Sequence, residues 1–374
     1  MFRATTAVRK VHARKQGIRA FEKGDLAQVA ALYEAVMRSG TRIPPPQLAR
    51  YFERTFFDCP WADPEIPPLV FEEDDGRIAG FLGVHVRRVR LDGQPLRIVC
   101  GGQLISDPAA RSRAIGAKLF RAHLFGPQAA TIADGANETA RQMWQVCGGE
   151  TTPLKTISWT RVLRPARFAA DLALKKLRRP ALARRLRPLW RPLDALVTPR
   201  RLRPAAPQAS AELLTPRAVL EQMAAVTPSL RCHPDYDEQF LEWVFQEMAA
   251  IRTRGTLVRQ LVRDGGEPIG WYVYYLEDGM SEVLQVAAAR GCTGQVLDHL
   301  LHHAYANGSA AVTGRLEPQL AEALSKRKCI LRWSGTVLVH SRKPELLGVL
   351  LSSQCWLGRM DGDWWMGHHR EAFA

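Results

Sequence analysis

The chain has 374 residues, of which 46% are hydrophobic, and it carries a net charge of +15 at neutral pH. That length suits two domains, and no apolar run approaches the roughly 20 residues that a membrane-spanning helix needs. The seven cysteines form no CxxC pair, so we expect reduced thiols in a cytoplasmic protein rather than disulfides or a zinc site.

The first half of the chain predicts alternating strands and helices. Residues 18–40 indicate a strand followed by a helix. Three strand-like runs come next, separated by the hairpin signals Asp75-Gly76 and Asp92-Gly93. The remaining elements of this half are a helix, a strand, a second helix and a strand, at about 114–124, 129–133, 137–149 and 154–163. This order predicts an α+β fold with a mixed, mostly antiparallel sheet flanked by helices.

The junction at Asp107-Pro108 connects an apolar strand to a helix through a short loop. Ala114, Gly116 and Ala117 fall in the first helical turn, where backbone N–H groups have no acceptor within the helix. Small side chains leave these donors accessible to a phosphate, and nearby arginines supply positive charge. The pattern predicts an anion-binding helix start, although an ordinary helix start with solvated arginines has the same composition.

At this junction the chain resembles the GCN5-related N-acetyltransferase superfamily, over roughly Ile18 to Leu163. The family signature is Gln or Arg, two residues, Gly, any residue, then Gly or Ala. The run Arg111-Ser112-Arg113-Ala114-Ile115-Gly116 matches it, except that Ala114 replaces a glycine. A second family pattern matches at Asn137, Ala140 and Gly148.

The resemblance implies acetyl-CoA or another acyl-CoA as cosubstrate. The strand before the loop would then face the pantetheine arm through Leu104, Ile105 and Ser106. The residues that would hold the phosphates are Arg111, Ser112, Arg113, Ala114, Ile115, Gly116 and Ala117, and Asn137 completes the implied cofactor-binding set. From the cysteine and histidine patterns we expect no metal, and His299, His302 and His303 are interpreted as part of a solvated helix face.

The usual general acid of the family is missing. Trp144 stands where many members have a tyrosine that protonates the departing thiolate, and an indole N–H is too weak an acid for that role. Positioning of the amine and polarisation of the carbonyl by a backbone N–H would remain. Asp134, at the end of its strand, is the candidate base or amine-orienting carboxylate, and the alternative is a simple turn aspartate.

A basic segment follows the first half. Residues 161–203 contain twelve arginines and two lysines against two aspartates, so +12 of the net charge lies there. Apolar residues alternate with the charges, which favours peripheral contact with an anionic membrane surface. The alternative is a connector packed between two domains with its charges in water. Nucleic acid is not the expected partner.

The second half predicts the same order of elements. Residues 290–294 occupy the place of the anion-binding loop but lack the signature spacing. We therefore predict a tandem protein with an acyl-CoA domain at 1–163, a basic connector at 164–208 and a degenerate second copy at 209–374. Coincidence between two α+β domains is the alternative. The run DGDWWMGHH is interpreted as an edge strand that closes the second copy, with Asp361 and Asp363 as turn residues.

These patterns favour an acyl-CoA-dependent N-acyltransferase that acts on the amine of a small molecule or of a lipid- or sugar-linked acceptor. The alternative function is a non-catalytic scaffold that keeps the fold and docks through its basic connector. The arginine and glycine of the signature favour the enzyme, whereas Trp144 and the degenerate second copy favour the scaffold.

Overall fold

The computed structural model describes residues 16–134, 136, 138–151, 154–176, 194, 203–333, 337–366 and 371. Within these ranges, the side chains of residues 111–113, 154, 175 and 176 are left undescribed. No helix in the described part of the chain combines the length and the apolarity that a membrane crossing requires.

The first half of the chain forms seven strands and five helices within the described residues. In chain order they are β1 (Gly17–Ala20), α1 (Leu26–Met37), α2 (Pro46–Phe56), β2 (Leu69–Glu72), β3 (Ile78–Leu91), β4 (Gln94–Ser106), α3 (Ile115–Leu124), β5 (Ala130–Asp134), α4 (Glu138–Val146), β6 (Glu150–Thr151), β7 (Ile157–Val162) and α5 (Pro165–Lys176).

The second half repeats this alternation. Its elements are β8 (Ser210–Leu213), α6 (Pro216–Val226), β9 (Cys232–Pro234), α7 (Glu238–Ala250), β10 (Thr256–Asp264), β11 (Glu267–Leu276), β12 (Met280–Ala288), α8 (Thr293–Ala306), β13 (Ala311–Arg315), α9 (Ala321–Ser325), β14 (Ile330–Trp333), β15 (Val337–His340) and α10 (Pro344–Leu351).

Two mostly antiparallel sheets organise these elements, as the sequence predicted. The first has the strand order β1-β2-β3-β4-β5-β15-β6, with β9 paired to the far end of β3. The second has the order β14-β7-β13-β12-β11-β10-β8. Each sheet contains one parallel pair, β4 with β5 and β12 with β13. The fold is therefore mixed α+β, with helices flanking both sheets.

Alternating side chains on the strands place helices on both faces of the first sheet. Phe81 of β3 packs against the rings of Phe52 and Phe56 on α2. The next residue, Leu82, belongs to the cluster on the opposite face, which contains Leu119 of α3. The sheet thus separates the α1/α2 layer from the layer that contains α3.

The two halves exchange strands. β7 follows the first half in sequence but pairs with β13 of the second sheet, with Thr160 opposite Thr313. Conversely, β15 comes from the second half and pairs with β5, with Val339 opposite Ile132. The boundaries 1–163, 164–208 and 209–374 stay a prediction, and each sheet draws strands from both sides of them.

The beginning of the basic segment lies against the second half. Arg167 on α5 is buried and pairs with Asp194 at 3.0 Å and with Asp278 at 2.7 Å. Arg164 donates hydrogen bonds to the carbonyl oxygens of Ser309 and Tyr305. These two arginines are therefore committed to contacts within the protein.

Candidate active site

The strands β4 and β5 separate partway along the first sheet. They pair only from Ile98 to Cys100 and from Ala130 to Ile132. Just beyond, β4 contains a bulge, because Phe81 lies opposite Ile105 whereas Gly83 lies opposite Gly102. Bulges bend a strand and redirect its backbone groups. The two strands therefore open into a V toward the C-terminal end of β4.

The bulge is held in a strained conformation. Gln103 has φ of +52°, a left-handed value that costs a non-glycine residue about 1–2 kcal/mol. The buried side chain of His85 lies 3.3 Å from Gln103, from Nε2 to Oε1. A Cβ on Gly83 would come within 2.1 Å of the same Oε1, so this position needs glycine. The surroundings thus fix the bulge.

A cavity of about 170 Å³ fills the opening between the two strands, and we call it the β4–β5 cavity. Its walls come from β4, β5, β15, α3 and α4 and include Leu104, Phe120, Ala133, Ala140, Trp144 and Leu338. His123 and Asp134 also line it. His123 Nε2 and Asp134 Oδ2 are buried and have no hydrogen-bond partner among the described residues. Buried polar atoms are costly unless the protein, a water or a ligand satisfies them, so these two atoms are candidate contacts for a bound molecule.

Two carboxylates meet in this cavity. The backbone N–H of Asp134 lies 3.4 Å from Asp363 Oδ1, and Arg315 lies 3.5 Å from Asp134 Oδ1. Burial and the negative charge of Asp134 raise the pKa of Asp363 to about 7. Burial and the nearby His340 lower the pKa of His123 to about 4, so this imidazole stays neutral. The cavity therefore combines a neutral histidine with a carboxyl group that titrates near neutrality.

Asp363 is a site residue that the sequence reasoning missed. The interpretation of DGDWWMGHH as an edge strand is wrong for its described part, because residues 361–366 form no strand. These residues instead belong to a C-terminal segment, 356–366, that reaches the first sheet. Arg87 on β3 and Tyr236 both donate hydrogen bonds to Asp361, at 2.7 and 2.6 Å. The sequence signal was only a pair of aspartates among tryptophans.

The predicted phosphate-binding helix start lies at the wide end of the opening. A 3₁₀ helix, Pro108–Arg113, leads to Ala114, whose φ of +51° and ψ of 36° are left-handed. The family signature has glycine at this position, and left-handed backbone explains that preference. α3 then begins at Ile115, and no side chain among the described residues caps it. Among the described side chains, none therefore occupies the first-turn N–H groups.

The residues predicted to bind the donor differ in whether their side chains are exposed or buried. Ala114 and Ala117 are exposed, and Leu104 lines the cavity. A Cβ on Gly116 would meet only Ser106 Oγ, at 3.7 Å, among the described atoms. The side chains of Ile105 and Ile115 are buried in the core, so only their backbone groups can face a ligand. The side chains of Arg111, Ser112 and Arg113, and the whole of Asn137, lie outside the described residues.

Asp107 fixes the loop before this helix. Its Oδ2 accepts hydrogen bonds from Arg42 and Arg77 at 2.6 and 2.5 Å, and its Oδ1 accepts one from Ala109 N. Burial acts to raise the pKa of Asp107, but these donors outweigh it, and the pKa lies below its usual value. The aspartate therefore stays ionised and ties the loop to its neighbours.

Trp144 has a structural role. Its indole N–H donates a 2.9 Å hydrogen bond to the carbonyl oxygen of Val339 on the exchanged strand β15. Its ring packs against Phe120 with centroids 5.4 Å apart. A Cβ on Gly149 would overlap the indole, so glycine there makes room for the ring. The only proton that the indole could give up is already engaged.

The corresponding opening of the second sheet is filled by the chain itself. β12 and β13 pair only as far as Glu282 and Thr313. Beyond that point the C-terminal segment bonds to both strands, through Met360 N to Leu284 O at 3.3 Å and through Arg315 to Leu357 O. Residue 292, before α8, also has right-handed backbone instead of the left-handed conformation of Ala114. The C-terminal segment therefore occupies the place in the second sheet that corresponds to the β4–β5 cavity of the first.

No protein-family model matches the chain, and no curated protein matches it. Solved structures do. A probable N-acyltransferase of unknown function from Enterococcus faecalis V583 is 10% identical, with a TM-score of 0.58 over 89% of this chain and 74% of that one. A GCN5-related N-acetyltransferase from Anabaena variabilis ATCC 29413 is 11% identical, with a TM-score of 0.56 over 87% and 72%.

A third similar structure is a GCN5-related N-acetyltransferase from Kribbella flavida, 12% identical, with a TM-score of 0.50 over 87% of this chain and 71% of that one. Likenesses at this level of identity concern the fold. The chain has the fold of GCN5-related N-acetyltransferases, which confirms the fold that the resemblance implied.

Proposed function

We propose that this protein is an acyl-CoA-dependent N-acyltransferase and that acetyl-CoA is its donor. The observation that carries the proposal is the β4–β5 cavity, which Asp134 and Asp363 line, together with the uncapped helix start that follows β4. The residues present fit a CoA donor. Gly116 leaves open space beside the first-turn N–H groups, and His123 Nε2 and Asp134 Oδ2 lack partners.

The donor, when bound, supplies a thioester carbonyl that an amine can attack. Groups of the protein itself bind the donor and position the acceptor. The N–H groups at the start of α3 and the dipole of that helix hold the phosphates. The bulge at Gln103 redirects backbone groups of β4, and an N–H there would stabilise charge on the carbonyl oxygen. The apolar walls exclude water, and Asp134 orients the acceptor amine by direct contact or through Asp363.

The acceptor is an amine of a small molecule or of a lipid- or sugar-linked precursor. The charge of the segment 161–203 supports peripheral contact with the anionic inner face of a membrane in a cytoplasmic protein. Most of that segment, 177–193 and 195–202, lies outside the described residues. A scaffold is not favoured, because the similar solved structures are described as a probable N-acyltransferase and as N-acetyltransferases.

Calorimetry on the full chain tests donor binding, since β15 and Asp363 both come from the second half. We expect acetyl-CoA and CoA to bind in the micromolar to millimolar range that is usual for enzyme substrates. Gly116→Glu should weaken binding at least about a hundredfold, because a carboxylate would meet the phosphates at close range. Gly116→Ala is the matched control and should bind within about tenfold of wild type, since its Cβ contacts only Ser106 Oγ. Absence of binding by the wild-type chain at about 1 mM refutes the proposal.

A further inference from the structure

We infer that Asp363, which the C-terminal segment carries into the β4–β5 cavity, is the catalytic base that removes a proton from the acceptor. We also infer that the acceptor is a primary amine arriving in its ammonium form. The inference rests on the proposed function and deepens it. No element of the first half supplies this carboxylate, since it lies 229 residues beyond Asp134 in sequence.

The position of Asp363 is fixed by its surroundings. A Cβ on Gly102 would lie 2.5 Å from Asp363 Oδ2, and a Cβ on Gly362 would lie 2.8 Å from Asp134 Oδ2. Two glycines therefore make the room in which the carboxylates meet. The segment is held on both sides of Asp363, by Arg87 at Asp361 and by Arg254 Nε at the carbonyl oxygen of Trp365, 3.1 Å away.

The charged and titratable groups around Asp363 come from six elements. They are Tyr33 on α1, Arg87 on β3, Cys100 on β4, His123 on α3, Asp134 on β5 and Arg315 on β13. His123 is neutral, and Arg315 contacts the other carboxylate. Arg87 donates hydrogen bonds to the backbone of Asp361 and Gly362, and Asp363 forms no ion pair among the described residues, so its carboxylate favours a cation over an anion as the entering group.

The basicity of Asp363 suits an ammonium ion. A pKa of about 7 is close to the operating pH, where a general base is most effective. An ammonium group gives up its proton to such a base more readily than an alcohol does, because the ammonium is the stronger acid. The neighbouring imidazole of His123 offers an unpaired Nε2 inside the same cavity, which can hold the amine once it is neutral.

The step balances as follows. The ammonium group gives one proton to the Asp363 carboxylate, and the nitrogen lone pair forms the C–N bond to the thioester carbonyl carbon. The C–S bond breaks, and its electron pair leaves with sulfur. The second proton lost by nitrogen converts the CoA thiolate to the thiol, and Asp363 returns its proton to solvent. The products are the N-acyl amine and CoA.

Two small amines that both fit the cavity separate the role of the base from all other roles. Methylamine is protonated at neutral pH, whereas hydroxylamine is not and needs no base. With acetyl-CoA as donor and CoA thiol release as the signal, we expect methylamine turnover by the wild-type chain to rise with pH to a plateau above about 7. Asp363→Asn should lower it at least a hundredfold and abolish that rise. Its hydroxylamine turnover and its acetyl-CoA affinity should stay within tenfold of wild type.

The possible outcomes separate the proposed function from the role of Asp363. A wild-type chain that does not bind acetyl-CoA refutes the proposed function. A chain that binds it but acetylates neither amine overturns the inference and leaves donor binding standing. Retention of methylamine turnover, with its pH dependence, in Asp363→Asn also overturns the inference. So does an equal loss with hydroxylamine.

The raised pKa of Asp363 can also be tested without substrate, through its effect on the stability of the protein. The folded protein holds the Asp363 pKa near 7, whereas the ordinary value is 3.8. The native state therefore binds this proton more tightly, and stability falls as pH rises from about 4 to 7. Asp363→Asn lacks this loss, so its urea midpoint should exceed that of wild type at pH 8 and by less at pH 5. The exposed Glu322→Gln is the control, and a variant less stable than wild type at pH 8 contradicts the raised pKa.

Discussion

Replacing Trp144 by phenylalanine should weaken the protein but spare its chemistry. The change removes the N–H that satisfies the carbonyl oxygen of Val339, 2.9 Å away. A buried acceptor left without its donor costs about 1–3 kcal/mol. The lost part of the indole adds about 1 kcal/mol of packing, although a phenyl ring keeps the contact with Phe120. We expect the free energy of unfolding to fall by about 3 kcal/mol.

Urea denaturation gives the stability change, and CoA release from acetyl-CoA with methylamine gives turnover. Because the indole N–H is engaged by Val339, turnover of Trp144→Phe should stay within about tenfold of wild type. Trp333→Phe is the matched control, since Trp333 is 66% exposed on β14 and should leave both quantities unchanged. A loss of more than about a hundredfold in turnover with unchanged acetyl-CoA affinity, the scale for an acid catalyst, would refute the structural role.

Two further changes test the helix start and the basic segment. Ala114→Gly should raise the free energy of unfolding by about 1 kcal/mol in urea titration, because glycine adopts left-handed backbone without strain, and a decrease would contradict the φ of +51°. The wild-type chain should sediment with anionic vesicles at low salt and much less with neutral ones, since each basic residue near the surface contributes about 1 kcal/mol. Replacing four arginines of the basic segment by glutamine should release the protein from the vesicles. The four, all outside the described residues, are Arg178, Arg179, Arg184 and Arg185. If wild type ignores anionic vesicles, the segment is a brace, and the same changes should lower the melting temperature.

The local features of the fold were readable from the sequence because they depend on neighbouring residues. Asp92-Gly93 marks a hairpin, and the signature around Ala114 marks a helix start whose backbone is left-handed. The sequence did not predict that the side chain of Ile105 is buried, because the bulge at Gln103 shifts the alternation of side chains between the two faces of β4. One extra residue in a short strand changes the hydrophobic pattern too little to be recognised in the sequence.

The long-range features could not be read in the same way. β7 and β15 are short apolar strands that would suit either sheet, so their exchange leaves no mark in composition. In the sequence Asp363 looks like a turn residue, because its neighbours Gly362 and Trp364 belong to no recognisable motif. Only the partner Asp134, far away in sequence, gives it a role.

The strand exchange sets an order on how a newly made chain can fold. Trp144 leaves the ribosome 195 residues before Val339, the residue that accepts its hydrogen bond. At about 5–20 residues per second, that gap corresponds to roughly 10–40 s of synthesis. Throughout this interval β5 presents an uncovered edge, which is a template for pairing with other chains. Translation speed between the two halves therefore sets how long this edge stays uncovered in the nascent protein.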